Sequence, residues 1–419
     1  MQEHSVLGHV ALGYSPMIDR QREVVATRLT IFPDNPGGAP DAAALLRAIE
    51  SVWPAESGGK PLKLDPRPLD PARVKQQVTP LVSLNLAGED LLAAVLNADP
   101  GPQLMIEVPA FMASDPAHQG ALRQLHEAGT TLLIKGRPLA PLAPEILAWF
   151  SHSIVEMTDD RRSGAPPPHA ARQVTTVQAG ARSSADMEAA FTRGAVAALG
   201  WPLDDALPKG HGRGQVPSDI TTVLELINGV EREDPVPKLE AVLRRDPTLA
   251  FRLMRYLNSP AFGLSVEINS FGHALMLLGY QRLKRWLALL LASSSKGAYC
   301  KPLVYGAVRR GLLMEELGRE QGDAEVRGEM FICGVFSLLD RLLQQPFSEL
   351  LRSVPVPERV QAALRGDGGP YGPYLELVRA IEQESVYDIR TQAEALMLGA
   401  GSINRALLAA LDSARQLDG

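Results

Sequence analysis

The feature that most restricts how this chain folds is a change of pattern across residues 204–217. Before it, short apolar runs alternate with helical ones; after it, strand signals stop. The runs at 24–31, 81–86, 104–108, 131–134, 153–157 and 174–178 are strand-like. Between them, 41–53, 88–97, 115–128 and 184–199 carry Leu and Ala at helical spacing. Ser114 or Asp115 can cap the third of these helices, Pro116 suits its first turn and Gly129 its end. This βαβα order implies a parallel sheet, and this many repeats predict closure into a barrel.

The stretch 204–217 (DDALPKGHGRGQVP) is dense in glycine and proline and reads as a linker. Helical patterns then fill 219–231, 238–244, 247–258, 271–278, 282–293, 304–320, 325–344, 357–364, 375–384, 388–398 and 402–416. The expected organisation is an α/β barrel over 1–203, the linker 204–217, and an all-helical domain over 218–419.

Composition excludes several classes. A net charge of −6 argues against a nucleic-acid-binding body, which usually has a basic face. Two cysteines, Cys300 and Cys333, cannot build a disulfide framework, have no metal-ligand spacing and read as small buried hydrophobes. The opening residues lack a basic segment followed by an apolar one, and the longest apolar run, 286–292, is too short to cross a bilayer. A cytoplasmic protein without membrane contact is expected. No phosphate loop, dinucleotide fingerprint or nucleophile elbow is present.

In the helical half, Asp246-Pro247 precedes an apolar helix, Asn258-Ser-Pro-Ala-Phe-Gly263 forms a turn, and Ser270, Ala274, Leu278 and Gly279 lead into a basic amphipathic helix. This order resembles the HDOD domain, a helical signalling module related to metal-dependent HD phosphohydrolases. The resemblance sets Ser337 and Leu338 where such a hydrolase carries its His-Asp pair, with Asp340 nearby. A hydroxyl and an isobutyl group cannot replace an imidazole and a carboxylate around a divalent cation. The cations Arg282, Lys284 and Arg285, with Arg309 and Arg310, are a candidate basic face for a partner, and Trp286 beside them follows the apolar phase of the core.

The first half resembles a degenerate EAL domain, a family of cyclic di-GMP phosphodiesterases on a TIM-type barrel; its pairing with HDOD is the YuxH-like bacterial arrangement. The carriers are the Gly13-Tyr14-Ser-Pro16-Met-Ile18 opening, Leu84-Asn85-Leu86, Ile106-Glu107, and Thr192 through Gly200-Trp201-Pro202. The resemblance implies that Asn85 and Glu107 are remnants of the metal-binding set. It also implies that Thr27 replaces a metal-binding glutamate and that Lys135-Gly136-Arg137-Pro138 replaces an Asp-Asp segment. Cations there repel Mg²⁺, and Glu107 is expected to pair with Lys135.

Both metal centres thus read as lost. The expected function is a non-enzymatic signalling scaffold with no cofactor or metal, working through unidentified signalling proteins. The alternative is a cyclic di-GMP receptor that does not hydrolyse its ligand, with Arg28, Lys135 and Arg137 meeting phosphates. A residual phosphodiesterase using Asn85 and Glu107 ranks last, since hydrolysis needs a metal to activate water.

Overall fold

In a computed structural model of the chain, the strand-like runs of the first half form a closed barrel in the order β1 to β8. The structure describes residues 3–35, 40–54, 82–136, 141–158, 174–205, 207, 218–243, 245, 271–293, 300–319, 323–353 and 356–418. The strands are β1 Val10–Asp19, β2 Val24–Pro33, β3 Val82–Leu86, β4 Leu104–Pro109, β5 Thr131–Lys135, β6 Phe150–Glu156, β7 Thr175–Ala179 and β8 Ala197–Leu199.

The expected parallel sheet holds from β2 to β8 but not for β1, which runs antiparallel to both its neighbours. The cause is local. A tight turn joins β1 to β2, with Asp19 N donating to Glu23 O, Arg22 N donating to Asp19 O, and Arg22 at φ 63°. A turn this short can only reverse the chain, whereas a parallel return needs a long crossover. The helix expected over 184–199 also stops early, at Thr192, after a Ser183–Asp186 capping box starts it. Gly194 at φ 98° breaks it, and Ala197–Leu199 continues as β8. The helix Pro116–Ala128 is capped by Asp115 and ended by left-handed Gly129, as its sequence signals predict.

Met17, Ala26, Met105, Leu133, Ile154, Val177, Ala179, Ala197 and Leu199 pack together inside the barrel. Because strands alternate faces, the next inward positions toward the C-terminal ends of β2 to β5 are Arg28, Ser83, Glu107 and Lys135. The lower interior is therefore apolar, and the upper interior is polar on the side of β2 to β5.

The chain divides into two compact units. One is Met1–Asp205 with Arg379–Leu408, and the other is Ala206–Val378 with Ala409–Gly419. A single helical domain over 218–419 therefore does not describe the chain, because residues 379–408 group with the barrel. β1 shows what they do there. β8 pairs only with Met17, Ile18 and Asp19, so the same edge of β1 needs other partners nearer its start. Gly200 N donates to Pro16 O, and Trp201 Nε1 donates to Tyr14 O, both at 3.1 Å. Asn404 completes the row. Its Oδ1 accepts from Leu12 N at 3.2 Å, and its Nδ2 donates to Val10 O and Leu7 O at 2.7 Å.

The second unit is helical. Among its described residues are helices Ser218–Glu231, Val236–Leu243, Phe271–Ser293, Cys300–Leu317, Ala324–Phe336, Leu339–Leu343, Phe347–Ser353 and Glu358–Arg365. Phe271–Ser293 is interrupted at Gly279 (φ 71°, ψ 168°), which matches its reading as two helices. The helix read over 325–344 is two pieces, parted where the Ser337 hydroxyl turns back to Gly334 O at 2.7 Å. Phe347–Ser353 carries no signal used above. Trp286 lies in the core, as does Cys333, whereas Cys300 is only half-buried. The Asp246-Pro247 and Asn258–Gly263 motifs lie outside the described residues.

Helices Cys300–Leu317 and Ala324–Phe336 cross at Gly311 and Gly334, backbone against backbone. A Cβ on Gly334 would lie 2.4 Å from Arg310 O and 2.6 Å from Gly311 N. Gly334→Ala is expected to cost about 1–3 kcal/mol by forcing the helices apart. Urea unfolding followed by the helical far-ultraviolet signal measures this; an unchanged midpoint would mean the crossing adjusts freely.

Candidate functional site

The polar upper interior of the barrel is the first place to look for chemistry. Arg28 projects inward from β2 and meets Glu107 of β4 as a bidentate pair, Nε to Oε1 at 2.8 Å and Nη2 to Oε2 at 2.7 Å. Ser83 of β3 adds its hydroxyl to Glu107 Oε1 at 2.9 Å. Glu107 is 1% exposed and Arg28 7%, so the pair is shielded from water. Burial works against the Arg28 charge, but attraction to Glu107 and then Glu384, with the Glu107 hydrogen bonds, outweighs it and holds the guanidinium above the ordinary arginine value.

Above this layer, Lys135 Nζ donates to Asn85 Oδ1, and Asn85 Nδ2 donates to Thr30 Oγ1 at 3.2 Å. Burial is the main force lowering Lys135 below the usual lysine value; Glu107 opposes it and Arg28 adds to it. From the C-terminal segment, Glu384 accepts from Ser15 Oγ at 2.9 Å and lies 3.9 Å from Arg28.

Two expectations change here. Glu107 pairs with Arg28, not with Lys135, because β2 and β4 flank β3 and bring both side chains to one level inside the barrel. Arg28, not Thr27, holds the inward position at which a β2 ligand would point; a shift of one residue along a strand exchanges its faces. Arg137 lies outside the described residues.

Each remnant acid or amide is therefore taken by a cation: Glu107 by Arg28 and Asn85 by Lys135. The metal implied by the EAL resemblance needs several oxygen donors facing one point. A guanidinium using both Glu107 oxygens and an ammonium on the Asn85 oxygen do not provide that. Among the described residues no three His, Cys, Asp or Glu side chains form a metal cluster. The residues present do not fit the metal, and no step is derived through it.

In the helical unit, an arginine sits where the resemblance sets the His-Asp pair. Arg310 Nη1 donates to Ser337 Oγ at 2.9 Å, with Arg310 3% exposed and Leu338 buried beside it. Asp340 is bonded at its Oδ1 by the backbone N–H of Arg341.

The expected basic face is largely internal. Arg309 and Arg310 are buried, with Arg309 over the Tyr305 ring. Lys284 is paired with Glu231. Arg285 binds Glu315 at 2.7 Å and covers the Phe331 ring at 4.1 Å. The Arg282 side chain lies outside the described residues. The signal for these pairs was in the sequence only as scattered acids, Glu231 and Glu315, on other helices.

No helix among the described residues is long and apolar enough to cross a membrane. Comparison with known proteins places the chain as follows. It is 33% identical over 165 residues to the protein YuxH of Bacillus subtilis, covering 38% of this chain and 40% of that one. It is 30% identical over 146 residues to the cyclic di-GMP phosphodiesterase CdgJ of Vibrio cholerae, covering 35% of this chain and 34% of that one. The chain thus matches well under half the length of either relative. Solved structures with some likeness include the PaMucR phosphodiesterase in complex with cyclic di-GMP (16% identity, 48% of this chain, 93% of that chain, TM-score 0.32) and the FimX EAL domain (14% identity, 47% and 93%, TM-score 0.29). Residues 216–346 match the HDOD family over most of the helical unit, and this part of the chain is an HDOD domain.

Proposed function

We propose that the chain is a signalling protein of the cyclic di-GMP system whose barrel neither holds a metal nor hydrolyses the dinucleotide, and which acts through contacts with other proteins. The observation that carries this is the buried Arg28–Glu107 pair. It puts a fixed cation, satisfied on the spot, where a phosphodiesterase of the resembled type needs carboxylates free for metal. The arginine on Ser337 in the HDOD domain supports the same reading for the second centre. The names of the relatives support the cyclic di-GMP connection. Incubating the full chain with cyclic di-GMP and Mg²⁺ or Mn²⁺ is expected to give no linear dinucleotide above a protein-free control. Metal-dependent product that disappears with Glu107→Ala would overturn the proposal.

Protein contact through Arg282, Lys284 and Arg285 is part of this proposal. A partner there competes with Glu231 and Glu315 for the second and third of these cations.

A second reading, a non-hydrolysing cyclic di-GMP receptor, is favoured by two inward cations, Arg28 and Lys135, at one end of the barrel. Against it, the acids Glu107, Glu156 and Glu384 act on the same two cations. With Glu384 in place, three carboxylates face these two cations, and a phosphate meets no net positive charge.

A further inference from the structure

Residues 379–408 do more than complete the edge of β1. Their Glu384 reaches the polar interior from the C-terminal side of the barrel, bonded to Ser15 Oγ and 3.9 Å from Arg28. Its backbone is left-handed, at φ 55°, in the turn that ends the helix Gly372–Glu382, where Glu384 N donates to Ile381 O and Ser385 N to Ala380 O. Gly13 makes the approach possible. A Cβ at Gly13 would meet Ile381 O at 3.0 Å and Glu384 Cα at 3.1 Å. Tyr14 OH to Glu382 at 3.4 Å, Arg390 to Asp34 at 3.3 Å and the Asn404 bonds fasten the segment on either side.

We propose that residues 379–408 are a lid over the C-terminal mouth of the barrel, with the Glu384 carboxylate occupying an anion position formed by Ser15 and Arg28. The geometry distinguishes two kinds of contact. Arg28 to Glu107 is a close, water-shielded clamp at 2.7 Å with Glu107 wholly buried. Arg28 to Glu384 is a looser contact at 3.9 Å whose carboxylate side chain is 20% exposed. Contacts of the second kind exchange with external anions; those of the first kind do not. The ligand class is therefore a phosphate or carboxylate that displaces Glu384 and leaves Glu107 in place. Only the identification of that anion with cyclic di-GMP rests on the receptor reading above.

The test is calorimetric titration of the full chain with inorganic pyrophosphate at low ionic strength. Glu384→Gly removes the carboxylate and suits the left-handed backbone; Glu384→Gln keeps the shape and removes only the charge. Both variants are expected to bind at least about tenfold more tightly than the parent, and Ser15→Ala added to either is expected to abolish the gain. Identical titrations of parent and both variants overturn the proposal, as does a gain that survives Ser15→Ala. A cyclic di-GMP arm separates the two readings. If the variants gain pyrophosphate but not the dinucleotide, the lid stands and the receptor reading fails. If the parent already binds the dinucleotide as tightly as Glu384→Gly, the lid fails and the receptor reading stands.

Discussion

Glu107→Ala is expected to lower the stability of the barrel by about 3–5 kcal/mol, the usual cost of removing one partner from a buried ion pair. The cost does not come mainly from the lost attraction. It comes from Arg28, which stays charged at any accessible pH and is 7% exposed, with the Ser83 hydroxyl also losing its acceptor. Glu384 at 3.9 Å recovers only part of this. Removing both charges, as Arg28→Met with Glu107→Leu, is expected to restore most of the loss, because two apolar side chains of similar volume leave nothing unpaired. Urea unfolding reads both results. A Trp286→Phe background leaves Trp53, Trp149 and Trp201 of the barrel unit as the fluorescent reporters. A loss below about 1 kcal/mol in the single variant would mean that water reaches Arg28 and that the pair is not a structural replacement for a metal centre.

Asn404→Ala is the second large effect. One side chain, itself 1% exposed, satisfies Leu12 N, Val10 O and Leu7 O. Leu12 N and Val10 O lie on a strand edge that β8 does not reach, and Leu7 O lies in the turn just before that strand. Truncation leaves all three without that partner inside the protein, at about 1–3 kcal/mol for each group that water does not recover. A total of about 2–4 kcal/mol is expected, with faster hydrogen exchange at the Leu12 amide. Unchanged protection at Leu12 would show that the segment 379–408 is a passive covering and not the partner of β1.

β8 was hidden inside the stretch 184–199 that reads as helix, but β2 to β7 were legible because each is a short apolar run bounded by turn residues. β1 was not. Its inward side carries Gly13 and Ser15, and Pro16 interrupts it, so neither alternation nor an apolar run marks Val10–Asp19. That Thr27 and Arg28 face opposite ways follows from the register of β2 against β3, which the sequence of β2 alone does not contain. The Arg28–Glu107 pair lies beyond sequence reasoning for the same reason: 79 positions separate the two residues, and only the pairing of β2 and β4 on either side of β3 sets them at one level. The basic helix misled in a different way. Lys284 and Arg285 read as part of a basic face because their partners, Glu231 and Glu315, lie on helices whose packing no local pattern announces. The helices Val386–Ala395 and Ala400–Asp418 were legible as helices, but an amphipathic stripe does not say which body covers it.

The bond between Leu12 and Asn404 joins positions 392 apart in the chain. For a protein made from its N-terminus on the ribosome, that distance is also a delay, on the order of 20–80 s at ordinary rates of synthesis. In the later part of that interval, once Leu199 has been made, the barrel has all eight strands but one exposed edge on β1, and the helical unit is made meanwhile. An unpaired strand edge is the kind of surface that chaperones cover and that neighbouring chains pair with. The order of synthesis thus makes the barrel the first unit to begin folding and leaves it unfinished until the helical unit has been made.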